Sequence, residues 1–175
     1  MSNTALIVID MQAGLLEDKN NPIFNEKQLI HNVNSLILKA RDADATVIFV
    51  RHTESEGPLQ IHRPGWQISS EINMYNDDII INKYTPDSFY QTILEDILKK
   101  LNVTKLVIAG LQSEYCIDTT CRRAFTMGYD TVLISDAHST CNSPLLSAET
   151  IIDHHNHTLS NGFVKLCDHR QADFM

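Results

Sequence analysis

No apolar run in this sequence approaches the ~20 residues that a membrane-spanning helix needs, so no such helix is expected. Basic residues are outnumbered: 14 Lys and Arg stand against 22 Asp and Glu, for a net charge of −8. Nothing resembles the Lys/Arg stripe that displaces counterions from a phosphate backbone, and nucleic acid is not an expected partner. The opening MSNTALIVID has no basic segment before its apolar run, which reads as a strand rather than a secretory signal; a cytoplasmic chain is the expectation. The four cysteines, Cys116, Cys121, Cys141 and Cys167, form no C-x-x-C pair, which removes a thioredoxin-type redox site and a zinc knuckle. In a cytosol their thiols are reduced. Glycine is nearly absent after the first apolar run: IVIDMQAGLL holds Gly14 alone, so a G-x-G-x-x-G nucleotide fingerprint is missing. There is no repeat, linker or low-complexity tract, and residues 1–175 are expected to form one domain.

What is present is an alternation of short β-rich runs and helical patterns. Thr4 to Ile9 is continuously apolar, as in a strand covered on both faces. Similar runs lie at Thr46 to Val50, Ile79 to Ile81, Leu106 to Ala109, Thr131 to Ile134 and, more weakly, Phe163 to Leu166. Between them, Glu26 to Ala43 carries a 3.6-period stripe through Leu29, Ile30, Val33, Leu36, Ile37 and Ala40. Ser88 to Leu101 is expected to be helical, with Ser88 and Gln91 at capping-box spacing. Tyr115 to Met127 reads as a helix closed by Gly128, and Ser147 to Leu159 as the last one, with Gly162 beyond. Such alternation predicts βαβ units and a parallel sheet covered by helices on both faces, a three-layer α/β/α fold. The exception is residues 53 to 77, a long segment with no period and Pro64-Gly65-Trp66 inside it; connections that long are usually functional.

In open parallel sheets ligands bind beyond the carboxyl ends of the strands. Asp10 follows the first strand, Lys83 the third, and the turn Gly110 to Tyr115 leads from the fourth to Cys116. Each has a bland reading: an Asp past a strand is often a cap, a loop Lys is usually solvated, and a Cys is more often a small core residue than a nucleophile. Together they make chemical sense. Asp10 can accept the thiol proton, Lys83 can hold both anions, and the first amides of the Cys116 helix can stabilise an oxyanion.

With those residues in place, IVIDMQ, INKYTPDSF and VIAGLQSEYCIDTTCRRAFTMGYDTVLISDAHST resemble the isochorismatase-like cysteine hydrolase family over nearly the whole chain. The resemblance implies a six-stranded parallel sheet ordered 3-2-1-4-5-6, with Asp10 as base, Lys83 as electrostatic partner and Cys116 as nucleophile. It implies a cis peptide at Leu111-Gln112 and an oxyanion hole made by the backbone amides of Gln112 and Cys116. It also implies a small-molecule substrate and association into a homo-oligomer. Nicotinamidases of this fold carry an aspartate and histidines after the second strand that hold a metal. Here His52 and His62 are present, but Val50 and Arg51 stand where the aspartate would be needed, so no catalytic metal and no cofactor are expected. The presence of Cys116 favours attack on an amide-like carbonyl through a thioester over vinyl-ether hydrolysis. A nicotinamidase-like or vinyl-ether activity, and a non-catalytic binding or assembly module, remain the alternatives.

Other residues carry a structural and a functional reading. Leu15, Trp66 and Tyr115 are candidates for the substrate pocket, Trp66 equally for a loop anchor. Arg51 suits a surface ion pair better than a substrate carboxylate. In the run Asp153 to His157, His155 continues the apolar stripe while His154 and His157 share an outer face, weak grounds for a metal. His138 reads as a structural hydrogen-bonder near the site rim or a subunit contact, and Cys121 as core.

Overall fold

The computed structural model describes residues 3–175. Six strands, β1 (Thr4–Ile9), β2 (Thr46–His52), β3 (Ile79–Lys83), β4 (Lys105–Leu111), β5 (Asp130–Ser139) and β6 (Lys165–Cys167), form one sheet in the order β3-β2-β1-β4-β5-β6. Every neighbouring pair is parallel. This is the sheet that the resemblance implied.

The helices are α1 (Ala13–Leu16), α2 (Glu26–Asp42), α3 (Leu94–Lys100), α4 (Asp118–Thr126) and α5 (Ala148–Ser160). Side chains alternate across the sheet and build two cores. Leu6 and Val8 of β1 join Val107 and Ala109 of β4 under the apolar stripe of α2. Ala5, Ile7 and Ile9 join Leu106 and Ile108 under Leu94 and Leu98 of α3, Cys121 and Ala124 of α4, and Leu159 of α5. Cys121 is therefore core, as its position suggested. Among the described residues no helix is long and apolar enough to cross a membrane.

β2, β3 and β4 run one or two residues beyond the expected ranges, so that Lys83 ends β3 rather than following it, and four other boundaries differ as well. The helix expected from Ser88 begins at Leu94, because the Ser88 hydroxyl bonds Thr120 Oγ1 at 2.9 Å instead of capping, and Gln91 is left-handed at φ 54. The helix expected from Tyr115 opens with a π-turn over Ser113–Ile117 and becomes α-helical at Asp118. β6 runs from Lys165 to Cys167 rather than from Phe163; the Phe163 and Val164 amides instead bond the Leu159 carbonyl and close α5. β5 continues past Ile134 through five polar or small residues to Ser139, after a register irregularity against β4 between Ile108 and Gly110. The last helix lies where expected, and Ser147 caps it, its side chain accepting the Thr150 amide.

One side chain ties the start of α1 to both ends of the loop that opens the long 53–77 connection. Gln12, fully buried, donates to the carbonyls of His52 (2.9 Å) and Trp66 (2.8 Å) and accepts the His52 amide (2.8 Å). A single amide group thus joins the end of β2, the 3₁₀ turn Pro64–Trp66 and the start of α1.

Candidate active site

Asp10, Lys83 and Cys116 converge at the carboxyl edge of the sheet. The chain leaves β1 at Asp10 through a left-handed residue, φ 53, whose amide still bonds Val50. It leaves β4 through Gly110, at φ 122, where a side chain would run into the carbonyl of Ile9; only glycine lets the two strand ends lie this close. Next comes the cis peptide Leu111-Gln112 and the π-turn that presents Cys116, a helix irregularity common at functional sites. The Gln112 carbonyl accepts the amides of Tyr115 (3.1 Å) and Ile117 (3.2 Å), which folds the turn back on itself.

The Lys83 ammonium is the hub. Its side chain has no exposed surface and donates to Asp10 Oδ2 at 2.9 Å and Cys116 Sγ at 3.1 Å, and lies 3.1 Å from His52 Nδ1. An ammonium has three protons and no lone pair, so three acceptors satisfy it and His52 must carry its own proton on Nε2. His52 is the member that the sequence reading missed, having weighed it only as a metal ligand. The β2–β3 register places it directly beside Lys83.

Burial alone would lower the Lys83 pKa, but Asp10 and Cys116 outweigh it and hold the ammonium above its ordinary value. Burial, helped by the Lys83 charge, pushes His52 down, so it is neutral at pH 7. Burial pushes the Cys116 thiol up to about 12, Asp10 pushes the same way by charge and hydrogen bonding, and Lys83 opposes both. The resting group is a thiol beside a carboxylate. Asp10 Oδ1 is buried and receives no N–H or O–H donor, which leaves a lone pair free for a proton.

Among the described residues, one group of metal-ligating side chains comes together, Asp10, His52 and Cys116. Lys83 Nζ is within hydrogen-bond reach of all three, so a cation already fills the place that a metal ion would take. His62 lies elsewhere, its ring edge-on to Trp66 at 5.9 Å. His155 bonds Asp118 at 3.2 Å, and His154 and His157 do not form a three-ligand cluster.

Two grooves are lined by neighbours of the three buried residues, though by none of the three themselves. One, of about 320 Å³, is lined by Leu15, Gln112, Glu114, Tyr115, Thr140 and Cys141 among others. The other, of about 560 Å³, is lined by His52, Thr53, Glu54 and Tyr84 among others. Leu15 and Tyr115 thus share a groove, while Trp66 lines neither. Its indole is buried, donates to Thr53 Oγ1 at 2.9 Å and is covered by the Arg51 guanidinium at 3.6 Å. Among the described residues Arg51 has no ion-pair partner; it bonds Asn82 and Gln67 and stacks on the indole instead.

A model of the isochorismatase domain matches residues 4–170. The chain belongs to the isochorismatase family. It is 35% identical over 136 residues to the isochorismatase family protein YrdC of Bacillus subtilis, covering 76% of this chain and 72% of that one. It is 30% identical over 141 residues to a streptothricin hydrolase of Streptomyces noursei, across 80% of this chain but only 56% of that longer protein. A solved isochorismatase family protein superposes with a TM-score of 0.91 at 33% identity, covering 96% of this chain and 99% of that one. Membership in the isochorismatase family makes this chain a hydrolase.

Proposed function

We propose that this isochorismatase-family hydrolase cleaves the C–N bond of a small amide through a thioester on Cys116. The observation that carries the reading is the Lys83 ammonium held between Asp10 and Cys116, with Asp10 Oδ1 left free. A thiol near 12 is nearly all protonated at pH 7, so attack requires a base at contact distance. Asp10 takes the thiol proton as Sγ adds to the carbonyl carbon. Lys83 then stabilises the sulfur and the carboxylate in turn, without leaving its place. The carbonyl oxygen becomes an oxyanion and is received by the amides of Gln112 and Cys116. Collapse expels the amine, which takes the proton from Asp10. A water, deprotonated by Asp10, hydrolyses the thioester, releases the acid and returns the proton to sulfur. That relatives of this chain include a nicotinamidase and a ureidoacrylate amidohydrolase supports an amide substrate class. Leu15 and Tyr115 wall the groove that admits it, and Trp66 holds the floor of the loop.

Asp10 and Lys83 push the thiol in opposite directions, which gives a test that needs no substrate. The rate of Cys116 alkylation by iodoacetamide, read by peptide mass spectrometry across pH, shifts to lower pH in Asp10→Asn and to higher pH in Lys83→Met. In parallel, a panel of small amides is screened by intact mass for an acyl adduct, which Asp10→Asn and Cys116→Ala both abolish. Alkylation profiles indifferent to both substitutions would sink the triad.

A further inference from the structure

Cys116 sits on a turn whose anchor the mechanism above does not use. Ser113, fully buried at the start of the π-turn, has its hydroxyl 2.8 Å from His138 Nδ1. The other ring nitrogen of His138 is 2.9 Å from Asn156 Oδ1, and Asn156 Nδ2 donates to the Ser135 carbonyl at 3.2 Å. The last bond fixes all the others. Because the Asn156 amide spends a proton on Ser135, its oxygen faces His138 and accepts, so Nε2 carries the imidazole proton. Nδ1 is then a bare acceptor, and Ser113 must donate to it. The chain runs one way, from Ser113 to His138 to Asn156 to Ser135, and ties the catalytic turn to β5 and α5. We propose that His138 is a positioning residue: as a neutral acceptor it holds Ser113, and through Ser113 the Cys116 turn, in the geometry that the proposed acyl transfer uses.

The inference rests on the reading of Cys116 as nucleophile and adds to it a proton-dependent support. Burial keeps His138 neutral, down to about 4, in spite of the Asn156 bond that opposes it. An imidazolium would present a proton to Ser113 in place of a lone pair and break the chain at its middle. His138 is 3% exposed but lines a cavity of about 290 Å³ between α2 and α5. The charged or titratable groups around it are His155, Glu149 and Asp153 on α5, Asp136 on β5 and, on the catalytic turn, Glu114, which accepts a bond from Thr140.

Asn156→Asp keeps the shape and the acceptor toward Nε2–H, gives up the donation to the Ser135 carbonyl at every pH, and sets a carboxylate against Nε2–H, which raises the histidine into the neutral range; the pH-independent loss is read at pH 9 and the pH-dependent one at pH 6. Cys116 alkylation by iodoacetamide is measured against wild type from pH 5 to 9, with imidazole ¹⁵N shifts reporting the His138 protonation state and thermal unfolding reporting the fold. The variant-to-wild-type rate ratio is expected to fall about tenfold at pH 6 and return to within about twofold at pH 9, tracking the ¹⁵N titration. Ser113→Ala is expected to lower the rate at every pH, with Ser113→Thr restoring it. A flat ratio while His138 titrates would overturn the proposal, as would a wild-type spectrum with the proton on Nδ1. If instead wild-type alkylation ignores Asp10→Asn and Lys83→Met, the nucleophile reading itself has failed.

Discussion

Two lysine–carboxylate pairs in this molecule have nearly the same contact and opposite surroundings. Lys83 meets Asp10 at 2.9 Å with 0% and 2% of the side chains exposed; Lys99 meets Glu95 at 2.5 Å one helical turn away, with 67% and 40% exposed. The outer pair can trade each partner for water, and its attraction is screened. The inner pair has lost its water, so every proton of the ammonium and each anion must find a protein partner. Lys83 therefore has three acceptors where Lys99 has one carboxylate. Distance alone says nothing about which pair matters; burial does.

The largest effect follows from removing one charge of the inner pair. Lys83→Met leaves Asp10 buried without a counter-ion and is expected to lower the unfolding free energy by about 3–5 kcal/mol in urea. Asp10→Asn together with Lys83→Met removes both charges, keeps a residue that tolerates the left-handed backbone at φ 53, and is expected to recover most of that loss while remaining inactive. A double variant as unstable as the single one would mean that packing, not the uncompensated charge, sets the cost. The pH dependence has a definite sign. Lys83 is raised in the folded chain, so its contribution is complete below its ordinary 10.5 and is lost as pH climbs through the higher folded value. The wild type is thus expected to lose its advantage over Lys83→Met in strong alkali.

His138 sharpens the comparison from the other side, as a buried ionisable group with no counter-charge. It stays neutral instead of finding a partner, and its pKa falls from 6.5 to about 4. A proton therefore binds the unfolded chain first, and stability falls as pH drops from about 6.5 to about 4, by about 3 kcal/mol, with no further loss below. His138→Gln is expected to flatten that part of the stability curve, measured as the difference between the two proteins so that the carboxylates common to both cancel. An unchanged slope would show that His138 is charged in the folded state.

How much of this was legible beforehand differs by element. β1 announced itself because a strand buried on both faces has no polar position to blur the pattern, and α2 because one face is apolar for its whole length. The placement of Asp10, Lys83 and Cys116 at one edge followed from reading what comes after each strand. His52 was missed because histidine near a strand end suggests a metal; its partner, Lys83, lies 31 residues away and only the β2–β3 register brings them together. Ser88 misled because a capping spacing is local, while Thr120, on α4, competes for the same hydroxyl. β5 was cut short for a related reason. Its second half is polar, and Asp136, His138 and Ser139 are satisfied by His169, Ser113 and Phe24, none of them a sequence neighbour.

A smaller effect is expected at Trp66, which lies between the two regimes: buried, neutral and satisfied by one bond. Trp66→Phe forfeits the donation to Thr53 but keeps a ring under Arg51, and should cost about 1 kcal/mol in a urea titration. Because the indole lines neither groove, the Cys116 alkylation profile should not move. A shifted profile would make Trp66 a wall of the site rather than the anchor of its loop.

The smallest effect belongs to the outer pair. Lys99→Ala removes a contact as short as any in the molecule's ion pairs, yet both partners stay hydrated and alanine is the better helix former. The folded chain holds the Lys99 ammonium above its ordinary pKa through Glu95, but at a site with no burial that preference is shared with solvent and salt. The thermal midpoint is expected to stay within measurement error in ordinary buffer. In low salt the wild type should gain slightly over the variant, and that gain should vanish on adding salt. A loss comparable to that of Lys83→Met would mean that contact distance outranks burial, and the contrast between the two pairs would collapse.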